Sequence, residues 1–202
     1  MKKMMLFIVV VTLLSITLFA QARMDGGNKV YKVGDIGPAG GYIFYVKRAS
    51  SDGWRYLEVA PENAELEAKW GADEYDVTGT EPKIGAGKKN TQLIVAKLTQ
   101  LGEHDSAAQR CDDLVVNGFD DWFLPSRDEL LALYKKSKDS RLERMFSRNF
   151  KPNRVGMFAG TGYWSSSQHS ATGAWYQNFS GNGQKDVCFK DSTYKVRAIR
   201  AF

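Results

Sequence analysis

Histidine and cysteine are scarce in this sequence, two of each in 202 residues, and the scarcity excludes a good deal of chemistry. His104 and His169 stand in separate polar stretches with no H-E-x-x-H spacing, so a zinc-protease site lacks its ligands. No G-x-S-x-G elbow surrounds the serines at 165–167, which excludes a hydrolase nucleophile of that kind. The string Ile84-Gly85-Ala86-Gly87-Lys88-Lys89 has the glycines and lysines of a phosphate loop but not its G-x-x-x-x-G-K-[ST] order. Asp112-Asp113 and Asp120-Asp121 lack the EF-hand register, so no metal ligands are assigned; a structural calcium stays open as an alternative but is not indicated. A non-enzymatic protein without a cofactor is the expectation.

Long apolar runs are also missing, with one exception at the N-terminus. Lys2 and Lys3 precede an apolar stretch from Met4 to Ala20, and Ala20-Gln21-Ala22 offers small residues at the positions signal peptidase reads. Charge, apolar core and A-x-A site in that order describe a secretory signal peptide over 1–22. Residues 23–29 then read as a flexible leader and 30–202 as one domain. No later stretch is long enough to cross a membrane as a helix. The protein is expected to be exported, to the periplasm, cell surface or beyond, where nucleic acid is not a partner.

In an oxidising compartment two cysteines suggest one disulfide, Cys111–Cys188. It would close a loop of about 77 residues, worth roughly 4 kcal/mol in the chain-entropy model. The alternative is two free, buried thiols.

Charge is uneven along the chain. Residues 24–129 hold 12 Lys+Arg against 19 Asp+Glu, whereas residues 130–202 hold 13 against 4. Lys135, Lys136, Lys138, Arg141, Arg144, Arg148, Lys151 and Arg154 fall within twenty residues. Guanidinium and ammonium groups pair well with sulfate and carboxylate, so this run is the leading candidate for binding an anionic glycan. The bland reading is a solvated, solubilising face. A second candidate is Trp175, Tyr176, Asn178, Asn182 and Gln184, aromatic faces and amides suited to sugar rings. Strand alternation would bury about half of them.

The pattern of elements is strands, then helices, then strands. Gly37-Pro38-Ala39-Gly40-Gly41 turns the chain into a strand at 42–46, paired with a second at 54–60. Residues 61–89 read as irregular. Asn90-Thr91 caps a helix over 92–101, Ser106 begins a second, and Ser126 with Glu129 forms the capping box of a third. Strands follow at 163–167, 174–179 and 186–189, with a turn at Gly181-Asn182-Gly183, and one last strand runs over 194–202. That order is α+β. Trp122-Phe123-Leu124-Pro125 and the serines after Trp164 read as structural: apolar wedges and satisfied backbone groups.

Several strings resemble a known bacterial family. They are Gly37-Pro38-Ala39-Gly40-Gly41, Ala107-Ala108 with Cys111, the run from Asn117 to Leu130 (NGFDDWFLPSRDEL), Tyr163-Trp164-Ser165-Ser166-Ser167, Trp175-Tyr176-Gln177-Asn178-Phe179 and Val196-Arg197-Ala198-Ile199-Arg200. Together they look like the C-terminal domain of the Legionella collagen-like adhesin and its relatives, in the C-type-lectin-like superfamily. The resemblance implies two to three helices packed on a looped antiparallel sheet, and ligand recognition by surface loops. Relatives often have a cysteine where this chain has Ala198, so any bridge from Cys111 must go to Cys188 instead. The calcium motifs of sugar-binding C-type lectins are absent, with lysine in Lys151-Pro152-Asn153 where a carboxylate ligand belongs. Relatives of the formylglycine-generating enzyme share a lectin-like fold and an L-P-x-x-x-E string. Their chemistry needs a reactive cysteine pair that this chain lacks. Two functions remain in play: adhesin-like binding of an anionic glycan, or an envelope module that contacts another protein through loops 61–89 and 151–162.

Overall fold

The computed structural model describes residues 29–49, 52–138, 162–179 and 185–202. The chain divides into two units, Met1–Tyr31 and Lys32–Phe202. In the first, the Lys29 ammonium lies 4.8 Å over the Tyr31 ring. The expected signal peptide and the leader up to residue 28 lie outside the described residues. The second unit carries the fold.

Its elements are β1 (Tyr42–Val46), β2 (Tyr56–Val59), a 3-10 turn (Glu62–Ala64), β3 (Leu66–Lys69), α1 (Gly87–Leu101), α2 (Ala107–Asp112) and α3 (Arg127–Ser137). β4 (Gly162–Gln168), β5 (Gly173–Asn178), β6 (Lys185–Phe189), β7 (Thr193–Val196) and β8 (Ile199–Ala201) follow. The class is α+β, with three helices packed on two sheets. One sheet has the order β1-β2-β8, the other β3-β7-β4-β5-β6.

Three expectations need correction. The larger sheet is mixed, because β4 and β7 run parallel through Tyr163 and Lys195. The last strand is two strands: the chain leaves β7 in one sheet, crosses at Arg197-Ala198 and enters the other as β8. The segment 61–89 is not wholly irregular, since its acidic stretch contains β3, paired residue for residue with β7 from Leu66↔Val196 to Lys69↔Thr193. Only Ala68 in β3 is buried, so the strand has almost no apolar signature of its own.

Strand alternation divides the core. Trp164 joins a cluster with Trp70, Trp122, Ile94, Leu98, Ala107, Ala108, Cys111 and Leu124, which seats α1 and α2. Its neighbour Tyr163 joins the other cluster, with Phe44, Leu57, Phe123, Leu130, Leu133, Phe179 and Ile199, which seats α3 and the smaller sheet. Successive side chains of a strand point to opposite faces, so adjacent aromatics serve both layers. Phe123 exchanges two backbone hydrogen bonds with Ile199, at 2.8 and 3.0 Å, and so lays the link before α3 along β8.

The helix ends follow simple capping rules, except at α1. Ser106 with Gln109 and Ser126 with Glu129 form reciprocal capping boxes at α2 and α3. The expected cap of α1 at Asn90-Thr91 is wrong. The helix starts at Gly87, and both residues are buried inside it. Asn90 instead holds the preceding loop, its amide accepting from Glu81 N at 2.8 Å and donating to Glu81 O at 2.7 Å.

Candidate functional site

The recurring strings of the sequence meet as internal polar frames. Glu58, fully buried on β2, accepts from Ala39 N (3.1 Å) and Gly41 N (2.8 Å) and pairs with Arg200 Nη1 at 3.3 Å. Burial raises its carboxyl pKa, and these donors oppose that rise. The Gly37–Gly41 turn can wrap it only because Gly41 has no Cβ, which would lie 1.9 Å from Val59 O. Arg200 also grips Asp121 through two bonds, Nε–Oδ1 at 2.7 Å and Nη2–Oδ2 at 2.9 Å, and lies 4.1 Å from the Phe119 ring centroid. A second frame joins Arg197 Nη2 to Glu65 Oε2 at 2.6 Å, with the Tyr163 hydroxyl donating to the same oxygen at 2.7 Å. The serines after Trp164 are also satisfied inside: Ser165 donates to Trp175 O and Ser167 to Glu81 O.

These frames change the meaning of the charge asymmetry. Lys195 bridges Glu67 at 2.8 Å, Arg197 pairs with Glu65, and Arg200 pairs with Glu58 and Asp121. Lys190, fully buried, donates to Ala72 O, Tyr75 O and Gln168 Oε1 at 3.1, 2.7 and 2.9 Å. Desolvation holds its ammonium pKa down to about 8. Three cations of the basic C-terminal part, Lys190, Arg197 and Arg200, are therefore buried, and Lys195 is neutralised by an acid at the surface. The surplus outside is smaller than the sequence sum.

The basic candidate is described only in part. Lys135 and Lys138 are exposed and Lys136 half-buried at the end of α3, and the Lys138 ammonium lies 5.6 Å over the Tyr134 ring. None of the three forms an ion pair among the described residues. Arg141, Arg144, Arg148, Lys151 and Arg154 lie outside the described residues.

The second candidate is not brought together as expected. Trp175 and Tyr176 occupy opposite faces of β5. Tyr176 stacks on Tyr194 at 4.9 Å and 15° against the α1–α2 core, whereas Trp175 meets the His169 ring edge-on at 5.4 Å and the Arg127 guanidinium at 5.2 Å. Asn178 is half-buried on the Tyr176 face, and Asn182 and Gln184 lie outside the described residues.

The expected disulfide is absent, and Cys111 and Cys188 are free thiols. Cys111 sits inside α2 among core residues, where burial pushes its thiol pKa up. The Cys188 sulfur lies 3.2 Å from the Tyr194 hydroxyl and 3.7 Å from Ser192 Oγ. Cys111 is packed as a small apolar group, whereas half-buried Cys188 sits against two hydroxyls. No cluster of three or more His, Cys, Asp or Glu side chains suited to a metal ion occurs among the described residues, and His104 and His169 are both exposed.

Sequence reasoning missed a groove of about 310 Å3 between the smaller sheet and α1. Leu57, Phe123, Glu129 and Ala201 line it with Asp52, Trp54, Gly85, Lys88, Lys89 and Gln92. The signal was the string Gly85-Ala86-Gly87-Lys88-Lys89, set aside for failing the phosphate-loop order. Glu129 takes the first donor of that string from within: its Oε1 accepts from Gly85 N at 2.8 Å, while Oε2 accepts from Ser126 N at 2.7 Å.

Comparison with known proteins agrees with the fold. No curated protein matches the chain. A crystal structure of a fimbrial protein from Bacteroides ovatus shares the fold, with a TM-score of 0.52 at 16% identity, covering 88% of this chain. The chain spans about half of that protein's length, 46%. The family profile of the Lcl C-terminal domain matches residues 61–200, which takes in every string from the Asn117–Leu130 run onward. On that match the chain belongs to the Lcl C-terminal domain family.

Proposed function

We propose that this protein is an exported, adhesin-like recognition module that binds an anionic glycan and carries out no chemistry on it. The observation that carries the reading is the end of α3. Its last turn presents Lys135, Lys136 and Lys138 without a described acidic partner and leads directly into the basic run 141–154. Cations at a helix C-terminus are favoured by the macrodipole, so they can stand clustered without internal neutralisation. The resemblance to an adhesin domain supports the same reading, and a C-type-lectin-like arrangement is part of the proposal. So does the internal use of the serines, which leaves none of Ser165 to Ser167 positioned as a nucleophile.

The test is binding to immobilised heparin and to neutral glycans across a salt series, beside a variant with Lys135, Lys136, Arg141 and Arg144 each changed to Glu. Heparin binding that weakens with salt and is lost in the variant is the expected result. No binding at low salt would sink the reading. The fold shared with a fimbrial protein favours a second reading, an envelope module that associates with another protein through the loops of 61–89. Salt-insensitive association with an envelope protein, and none with heparin, would favour it.

A further inference from the structure

We propose that the groove between Trp54 and the first turn of α1 binds a single acidic sugar unit, a six-membered ring carrying a carboxylate or sulfate. The inference deepens the glycan reading with a second site, and rests on that reading only for the class of ligand.

The groove's volume of about 310 Å3 suits a short saccharide and not a chain, since small-ligand pockets run from roughly 300 to 1,000 Å3. Leu57, Phe123 and Ala201 line it with apolar surface beside the buried Glu129 carboxylate, whose two oxygens are engaged by Gly85 N and Ser126 N, while Gln92 contributes an amide. Trp54 is half-buried, held by Tyr45 at 6.2 Å and by the Lys47 ammonium 4.4 Å from its ring. Lys47 also pairs with Asp52, and that contact lowers the Asp52 carboxyl pKa, so the one exposed acid of the rim is already answered.

That leaves Lys88 and Lys89. Both are exposed, and neither forms an ion pair among the described residues. Glu81 and Asp112 feel them only at longer range. They stand in the first turn of a fifteen-residue helix with no acid in that turn, where the macrodipole disfavours cations. Gly85 N, just ahead of this helix, already serves Glu129, so the attraction to a ligand is assigned to the two ammonium groups. Charge placed against the local rule with no internal partner marks a place where function overrides stability. An acidic sugar answers each feature: its anion between Lys88 and Lys89, a hydroxyl on Gln92, and its C–H face against the Trp54 ring.

The experiment titrates 15N-labelled protein with a sulfated heparin disaccharide and separately with cellobiose, following the Trp54 indole N–H. A saturable shift with the sulfated sugar and none with cellobiose is expected. In Lys88→Gln/Lys89→Gln the affinity should fall at least tenfold, and both positions are exposed, so the fold should persist. A Lys135→Glu/Lys136→Glu/Lys138→Glu variant should keep the Trp54 shift. No shift at Trp54, an equal response to cellobiose, or unchanged affinity in the glutamine variant overturns the proposal. Loss of the shift in the α3 variant also overturns it, by moving the disaccharide to α3. A persistent Trp54 shift in a protein that does not bind polymeric heparin would fail the α3 reading and leave the groove standing.

Discussion

Glu129 and Gly85, 44 residues apart, are joined by a hydrogen bond of 2.8 Å from the glycine N–H to Glu129 Oε1. Through it one buried carboxylate holds two helix starts. Its second oxygen closes the capping box of α3 on Ser126 N, and Gly87, the first residue of α1, lies so close that a Cβ would fall 2.3 Å from it. The loop that resembles a phosphate cradle is thus filled by the protein's own anion.

Replacing Glu129 with Ala should cost about 2–4 kcal/mol, a lost cap of about 1 and unsatisfied buried donors of about 1–3 kcal/mol. Glu129→Gln should cost less at pH 7. Burial raises the carboxyl pKa, so the stability Glu129 contributes is lost as pH rises through that value. The amide does not titrate, but it keeps only one accepting oxygen and turns an NH2 towards the other N–H, so it should still be less stable than the native protein. Thermal melts of the two variants at pH 5 and 7 check the order. An alanine variant as stable as the glutamine one would refute the shared cap.

Arg200→Met should destabilise strongly, by about 3–5 kcal/mol, because it leaves Glu58 charged and buried without its partner. Adding Glu58→Gln should recover part of that loss. Urea unfolding of the single and double variants measures the coupling, and strictly additive losses would show that the pair is not a unit.

Lys190 supplies a pH dependence of definite sign. Its folded pKa of about 8 lies below the ordinary 10.5, so the unfolded chain binds more protons between those values. Stability contributed by this residue therefore rises as pH climbs from about 8 to 10.5. Lys190→Met removes the titration and leaves three carbonyl acceptors unmet. The variant should be less stable at pH 7, and its deficit should widen towards pH 10. A constant deficit would contradict the burial of the ammonium.

With both thiols free, a reductant should leave the melting temperature unchanged. Ellman's reagent should find two thiols in unreduced, denatured protein, while Cys111 stays protected in the native state. A count of zero before reduction would restore the disulfide.

The α+β order, the helix starts at Ser106 and Ser126, and the β1–β2 hairpin were legible because each is written locally, in caps, turns and alternation. β3 was not, since Leu66-Glu67-Ala68-Lys69 is a strand only by virtue of its pairing with β7. The start of α1 was hidden for a similar reason: its stabilising carboxylate comes from another helix. Of the site candidates, Lys135 and Lys138 could be read as exposed from their neighbours, but nothing local brings Trp54 beside Lys88 and Lys89.

By itself the sequence determined the class, the family strings and the surplus of positive charge after residue 130, all of which depend on residue type and spacing. Only the tertiary structure decided which of those charges remain outside. Arg197, Arg200 and Lys195 face acids more than seventy residues away, and pairing across such separations is set by how sheets stack and not by any local pattern. The same packing holds Cys111 and Cys188 as separate thiols, Cys111 inside the helical core and Cys188 against the Tyr194 hydroxyl.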